Sequence, residues 1–420
     1  MGQVELSEHL FRRESGRLVA ALTRIFGIHN LALAEDVVQD AFCRALEVWK
    51  VRGVPDNPSA WLMAVARNRA LDVVRKQRTA QTFAPELARA LESEWTLAPT
   101  VDEAFATSTI RDEQLRMMFS CCHPKLPQET QVALVLNILC GFGANEIASA
   151  FLIGRAAMEK RVARGKKVLA VAKRLFDLTD AEFGQRLSAV RRALYLLFNE
   201  GYHGASAETP VRAELCAEAI RLTTLLLEMP AAAEPDTCAL AALMCLHAAR
   251  LPARVDAAGE LSPFLEQDRT RWDAALVTQG LAWLDRAASG SVASAYHLEA
   301  AIAAFHANAD SVEQTDWHAI VRLYDSMMKV APSPVVALNR AIAIGQCDGP
   351  ERGLQALHEI ADAERLRRYP FYPAALGEFE RRRGDAAAAE RHFAMAASLA
   401  RNPAERRVLD RRARECLSRV

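Results

Sequence analysis

Apolar positions recur along most of this chain at spacings of three and four, so the predicted elements are helices. The stretch AEDVVQDAFCRALEVWK, residues 34–50, shows the pattern best. On a helix turning about 100° per residue, Asp36, Gln39, Asp40, Cys43, Glu47 and Lys50 fall on one side. Val38, Ala41, Phe42, Ala45 and Trp49 fall on the other. A solvated face tolerates any mixture of charges. Gathering Asp36, Gln39 and Asp40 on one turn is the arrangement of an acidic docking face.

The same pattern divides the chain. Residues 1–78 read as helices over about 6–26, 32–50 and 58–77, with the Gly/Pro/Asn loop VRGVPDNPS between the last two. Asn57 suits a cap there and Pro58 a first helical turn. Residues 79–110 have weak periodicity and two prolines, and read as a linker. A second helical block spans about 111–176. It holds a short helix from Ala144, a turn near Leu152 to Gly154 and a basic helix from Arg155, which is helix-turn-helix spacing. A helical extension follows over 184–290, then a repeat-bearing segment over 291–420.

In that last segment Ile320, Tyr324, Met327 and Pro332 fit the second helix of a tetratricopeptide unit. Ala389, Phe393 and Ala396 fill the same slots, preceded by Leu376 and Gly377 in the first helix, and Leu357 takes the large slot between them. The slots at 324, 357 and 393 lie 33 and 36 residues apart, near the roughly 34 of that repeat. Stacked helix pairs of this kind leave a concave face.

Composition adds three limits. The chain has 420 residues, 51% hydrophobic and 25% charged, which points to more than one globular domain. The formal net charge of zero hides local asymmetry. Five Lys/Arg face one Asp between Trp61 and Arg78, and eight face one Glu between Arg155 and Arg174, as two contacts with a polyanion would need. The nine cysteines are scattered without a C-x-x-C and fit a reducing cytoplasm. Cys121, Cys122 and His123 lack a second pair and read as a buried helix end rather than a zinc site. MGQVELSEHLFRRE has no signal-peptide core, and Leu6 breaks the myristoylation pattern. No apolar run is long enough for a bilayer, so no membrane partner is expected.

Two segments carry candidate chemistry. In NPSAWLMAVARNRALDVVRKQR, Trp61, Leu62, Val65, Leu71 and Val74 supply an apolar stripe, while Arg67, Asn68, Arg69, Asp72 and Arg75 decorate the rest. Arg and Asn suit phosphates and base edges. Trp61 serves either as core or as a stacking platform for an exposed base. The helix RAAMEKRVARGKK has the layout of a major-groove reader: Ala156 and Ala157 allow close approach, and Arg155, Lys160, Arg161 and Arg164 reach bases or phosphates. Lys166 and Lys167 sit near the DNA backbone. Glu159 either accepts from a cytosine or pairs with Arg155. Gly165 inside this helix costs about 1 kcal/mol relative to Ala. Further on, LYLLFNEGYHG gathers Tyr195, Phe198, Tyr202 and His203 around a helix end capped at Gly201, and QDRTRWD offers an Arg269–Asp273 pair in an ion-pair network. A ligand or interdomain contact is the alternative for the first motif, and an interface with the two N-terminal helical blocks for the second. No nucleophile–base pair, phosphate loop or metal set stands out, so neither an enzyme site, a cofactor nor a metal is expected.

The order of these parts resembles bacterial RNA polymerase sigma factors of the extracytoplasmic-function type. AEDVVQDAFCRALEVWK, NPSAWLMAVARNRALDVVRKQR and ANEIASAFLIGRAAMEKRVARGKKVL carry the likeness. LRMMFSCCHP, LYLLFNEGYHG, QDRTRWD and PSPVVALNRA resemble the subgroup with a long C-terminal, tetratricopeptide-like extension. The resemblance implies an all-α protein: a sigma-2 domain over 1–78, a linker threading into polymerase channels over 79–110, and a sigma-4 helix-turn-helix domain over 111–176. It implies core RNA polymerase and promoter DNA as partners, with contacts to the β′ clamp helices and the β subunit. Asp36, Gln39 and Asp40 match the positions that dock on the clamp helices. Trp61, Arg67, Asn68, Arg69 and Arg75 fall in the −10 reader, where open DNA is stacked and a base is flipped out. Arg155, Lys160, Arg161, Arg164 and Lys166 fall in the −35 reader. The C-terminal repeats would regulate activity and bind a regulatory protein or ligand. Two other readings fit parts of the pattern: a helix-turn-helix regulator with a ligand-sensing repeat domain, and a tetratricopeptide adaptor.

Overall fold

The computed structural model describes residues 3–76, 107–151, 153–171, 180–203, 211–256, 260–290 and 292–417. Most of the linker and Leu152 of the proposed turn lie outside these residues. The all-α expectation holds: the described residues form helices and no strand, with one isolated bridge between Val255 and Leu261. The chain divides into two compact units, residues 1–197 and 198–420.

The first unit opens with α1 (Gln3–Phe26), α2 (Leu31–Arg52) and α3 (Pro58–Lys76). Gly53 ends α2 with φ 79°, and its N–H bonds to the Trp49 carbonyl at 3.0 Å, a left-handed turn that a side chain would strain. Asn57 caps α3 as its sequence position suggests, its Oδ1 accepting from the Ala60 N–H at 3.0 Å. The three helices share an aromatic column. Phe11 stacks on Phe42 at 4.7 Å and on Trp49 at 5.6 Å, and Trp49 meets Trp61 at 5.4 Å. Val38, Ala41, Ala45 and Trp49 are buried and Asp36, Gln39, Asp40, Cys43, Glu47 and Lys50 exposed, the split read from the pattern of α2.

The second block of this unit is α4 (Thr107–Cys121), α5 (Gln128–Leu134) continuing as a π turn over Val135–Leu139, α6 (Ala144–Ala150) and α7 (Arg155–Val171). It packs on α1. Gly16 sits so near the Leu139 carbonyl oxygen that an added Cβ would lie 2.1 Å from it. Arg12 bonds Glu146 at 2.6 Å and lies 4.7 Å from the Phe142 ring, and Arg24 pairs with Glu113 at 3.4 Å. Gly165 turns out to be a packing residue. A Cβ there would come within 2.9 Å of Leu134 and 3.0 Å of Thr130, so its absence lets α7 close on α5.

Helix α8 (Asp180–His203) runs across the division between the units. The helix does not end at Gly201. It continues to His203, and Gly201 is small because the next helix starts against it: a Cβ would lie 2.7 Å from Leu215 and 2.8 Å from the Arg212 carbonyl.

The second unit continues with α9 (Ala213–Leu227), α10 (Pro235–Ala248), α11 (Leu251–Arg254), α12 (Ala274–Ala287) and α13 (Ala295–Ala307). Helix α10 is apolar nearly all round and is buried, with α9, α12 and α13 packed against it. Then follow α14 (Trp317–Val330), α15 (Pro334–Cys347), α16 (Pro350–His358), α17 (Phe371–Arg383), α18 (Ala386–Ser398) and α19 (Pro403–Leu417), each packed on its neighbours in sequence. Aspartates cap two of these starts: Asp316 accepts from the Ala319 N–H and Asp385 from the Ala388 N–H. Of the repeat slots, Ile320, Met327, Leu357, Ala389, Phe393 and Ala396 are buried, Tyr324 is half-buried and Pro332 is exposed. Phe379 seats its ring on Gly345 and Gly353, where an added Cβ would lie within 2.6 Å of it. No helix among the described residues is long and apolar enough to cross a membrane.

Candidate functional site

Asp36, Gln39 and Asp40 emerge from α2 on its exposed side. With Leu33, Val37, Arg69 and Val73 they line an open depression of about 460 Å³ between α2 and α3. Arg69 crosses that depression. Its Nε and Nη2 reach Asp40 Oδ2 at 3.0 and 2.9 Å, in a pair whose side chains keep 44% and 54% of their exposure. The structure thus joins a residue of the proposed −10 set to one of the proposed docking set. The acidic turn is left with two unlike ends, an exposed Asp36 and an Arg-paired Asp40.

On α3, Trp61 is half-buried against Trp49, so the stripe and the base platform compete for one ring. Arg67 is half-buried and donates to Asn68 Oδ1 at 3.4 Å, and Asn68 itself is exposed. The side chain of Arg75 lies outside the described residues.

Helices α6 and α7 are joined by residues 151–154. Gly154 accepts from the N–H groups of Ala157 and Met158 and starts α7. Met158, Val162, Gly165 and Leu169 face inward, which turns Lys160 and Arg164 to solvent and leaves Arg161 half-buried, 5.8 Å from the Phe151 ring. Arg155 bonds Glu159 at 2.7 Å, the local partner that sequence spacing allowed. Lys166 differs. Its Nζ bonds Glu35 of α2 at 2.5 Å, across 131 residues of sequence. Nothing local in the sequence signals that pair, because it depends on how the second block packs on α2.

Cys121 and Cys122 are fully buried, and burial pushes both thiols up, Cys122 to about 12. They stay protonated and pack α4, as a helix end should. Among the described residues one group brings metal-type donor atoms within 4.8 Å: His318, Cys347 and Asp348. Burial and Asp348 push the Cys347 thiol up.

The QDRTRWD motif does not form the expected ion-pair network. Arg269 donates to the carbonyls of His306 and Ala309 at 2.9 and 2.6 Å and to Thr315 Oγ1 at 3.1 Å. Asp273 instead caps α12, accepting from the Ala275 and Leu276 N–H groups. A cap at the helix start outcompetes an i,i+4 pair, because it satisfies N–H groups that have no other partner.

Residues 10–80 match the sigma-70 region 2 family, and residues 186–288 match a family of unknown function, DUF6596. The chain is 41% identical over 390 residues to the uncharacterized protein R00370 of Rhizobium meliloti (strain 1021), covering 92% of this chain and 90% of that one. It is 30% identical over 171 residues to the RNA polymerase sigma factor CarQ of Myxococcus xanthus, covering 40% of this chain and 89% of CarQ. The region 2 match holds α2 with its acidic turn and α3 with its arginines, so the likeness falls on the surfaces just described. By these matches the chain belongs to the RNA polymerase sigma factors.

Proposed function

We propose that this sigma factor is of the extracytoplasmic-function type and directs promoter-specific initiation by core polymerase. In this reading Asp36, Gln39 and Asp40 dock on the β′ clamp helices. Trp61, Arg67, Asn68, Arg69 and Arg75 meet the opened −10 element. The α6–α7 helix-turn-helix lays Arg155, Lys160, Arg161, Arg164 and Lys166 on the −35 duplex. The second unit is a tetratricopeptide-like extension that regulates these events. The observation that carries the reading is the exposed acidic turn lining the α2–α3 depression, beside a helix rich in arginine. An exposed acidic concavity suits a basic helical partner, and charge complementarity governs the rate and choice of such docking.

The experiment is charge reversal of Asp36 and Asp40 to Arg in the full-length chain, read by co-purification with core polymerase and by promoter-dependent transcription. Both side chains are exposed and the Asp40–Arg69 pair is a surface pair worth about 0–1 kcal/mol, so the fold survives. Polymerase binding and transcript output should fall together. Retention of both by the reversed variant would overturn the docking assignment.

A further inference from the structure

The second unit gathers side chains to which the proposed docking and promoter contacts give no role. Tyr202 at the end of α8, His247 in the last turn of α10, Arg250 just after it, Arg254 of α11, Trp272 before α12 and His306 of α13 converge on one place. The Arg250 guanidinium lies 4.0 Å from the Phe264 ring and 5.5 Å from Trp272, and Arg254 lies 4.2 Å from Tyr202. Tyr202 meets the His247 ring at 5.2 Å, and His306 meets Phe264 at 4.6 Å. The NEGYH and QDRTRWD motifs, far apart in sequence, therefore face one centre.

The polar atoms of this centre are unsatisfied. Tyr202 Oη, His247 Nδ1, Arg254 Nε, Trp272 Nε1 and His306 Nδ1 are buried without a hydrogen-bond partner in the protein. They are half of the ten such side-chain atoms among the described residues, so the deficit is concentrated in this cluster. Buried polar groups are almost always paired, and a cluster of unpaired ones asks for a missing partner. Their chemistry says which kind. Arg Nε and Trp Nε1 can only donate, and Tyr and neutral His can donate. Arg250 has one neutral acceptor, Gln267 Oε1 at 3.3 Å, and no carboxylate pairs with Arg250 or Arg254 among the described residues. Two guanidiniums walled by aromatic rings without a counter-charge are costly. Water satisfies donors but does not neutralise them. Arg269 shows the contrast, because three protein oxygens satisfy it.

We propose that Arg250, Arg254, Tyr202 and Trp272 frame a binding site for a small oxyanion, a carboxylate or phosphate group. Guanidinium groups present paired donors that match either anion, and the indole and phenol donors fix its orientation.

The test uses the full chain without polymerase or DNA, so its failure leaves the initiation reading untouched. Thermal unfolding and calorimetric titration are run with inorganic phosphate and, separately, with succinate, each against sodium chloride at equal ionic strength. At least one should stabilise the chain saturably beyond chloride, and which one does so identifies the anion class. Arg254→Gln should abolish that shift. Tyr202→Phe and Trp272→Phe keep an aromatic ring and remove one donor each, so they stay informative if Arg254→Gln fails to fold. Each should weaken binding about tenfold. The proposal is overturned if neither anion acts beyond chloride. It is also overturned if Tyr202→Phe and Trp272→Phe bind as the parent does, which would place the ion elsewhere, such as the basic face of α7.

Discussion

Gly16→Ala is a wedge placed between the two halves of the first unit. Its Cβ would lie 2.1 Å from the Leu139 carbonyl oxygen and 2.9 Å from the carbonyl carbon. Both sides of the contact are backbone, so no rotamer change relieves it. Reaching an ordinary C···O separation of about 3.3–3.6 Å requires the two chains to part by roughly 1.2–1.5 Å. Overpacking of this kind costs about 1–3 kcal/mol, and alanine returns about 1 kcal/mol through its better helix propensity in α1. The first unit should lose about 0–2 kcal/mol on denaturation, while α1 itself stays helical. The packed arrangement is penalised by the full wedge, so its population relative to a separated one should fall roughly 5- to 150-fold. Fluorophores on the exposed Cys43 and on Asn145→Cys of α6 report the separation. Gly184→Ala is the control, because nothing lies within 4 Å of its added methyl. The Cys43-to-145 distance should lengthen in Gly16→Ala alone. An unchanged distance together with unchanged stability would refute the contact between α1 and the π turn.

Two further outcomes follow from the same geometry. Replacing Arg161 and Arg164 with Ala should leave the melting temperature within about 1–2 °C, since neither side chain is buried and surface changes are small. Promoter affinity in a salt titration should drop, with the salt slope reduced by about one for each phosphate contact removed; an unchanged slope and affinity would remove these residues from the DNA face. In the second unit, burial and then the charges of Arg250 and Arg269 hold His306 at about 3, against about 6.5 in an unfolded chain. The folded state refuses a proton that the unfolded chain accepts, so stability is full above pH 6.5 and is lost as pH falls towards 3. The slope is up to about 1.4 kcal/mol per pH unit for this group, and His247 is depressed in the same direction. Urea melts at pH 7.5, 6 and 5 in chloride buffer should show this, and His306→Gln should flatten it; an equal slope in the variant would assign the effect to other groups.

Helices were legible because amphipathic spacing is a local property. The exposed turn of Asp36, Gln39 and Asp40 is where periodicity places it, and of the repeat slots at 324, 357 and 393 the last two are buried and Tyr324 half-buried. Two glycines misled for one reason. Gly165 looked like a flaw in a helix and Gly201 like its end, yet each marks a place where another element comes too close for a Cβ. Such approaches are set by packing, which a single chain pattern does not encode. Arg269 misled similarly, since its true partners are carbonyls supplied by α13 and the loop after it. One signal for the basic-aromatic centre was present. Between Asp236 and Asp256 the chain contains Arg250, Arg254 and His247 and no acidic residue, at the end of a helix that is otherwise apolar. Cations leaving an apolar helix with no acid nearby must find their counter-charge from a distant element or from outside the chain.

The same logic separates the two units. In the first, cations of the proposed reading surfaces already have acids: Arg69 holds Asp40, Lys166 holds Glu35, and Arg155 holds Glu159. Each of these pairs is partly or wholly exposed, so each is cheap to exchange for a phosphate or a polymerase side chain. A surface that must change partners is well served by weak internal ones that keep its side chains extended and discourage chance anions. In the second unit the guanidiniums of Arg250 and Arg254 stand among aromatic rings with no acid to release. Binding an anion there displaces no internal pair, so its charge energy is realised in full against desolvation already spent in folding. The first arrangement suits reversible exchange with large partners, and the second suits retention of a small one.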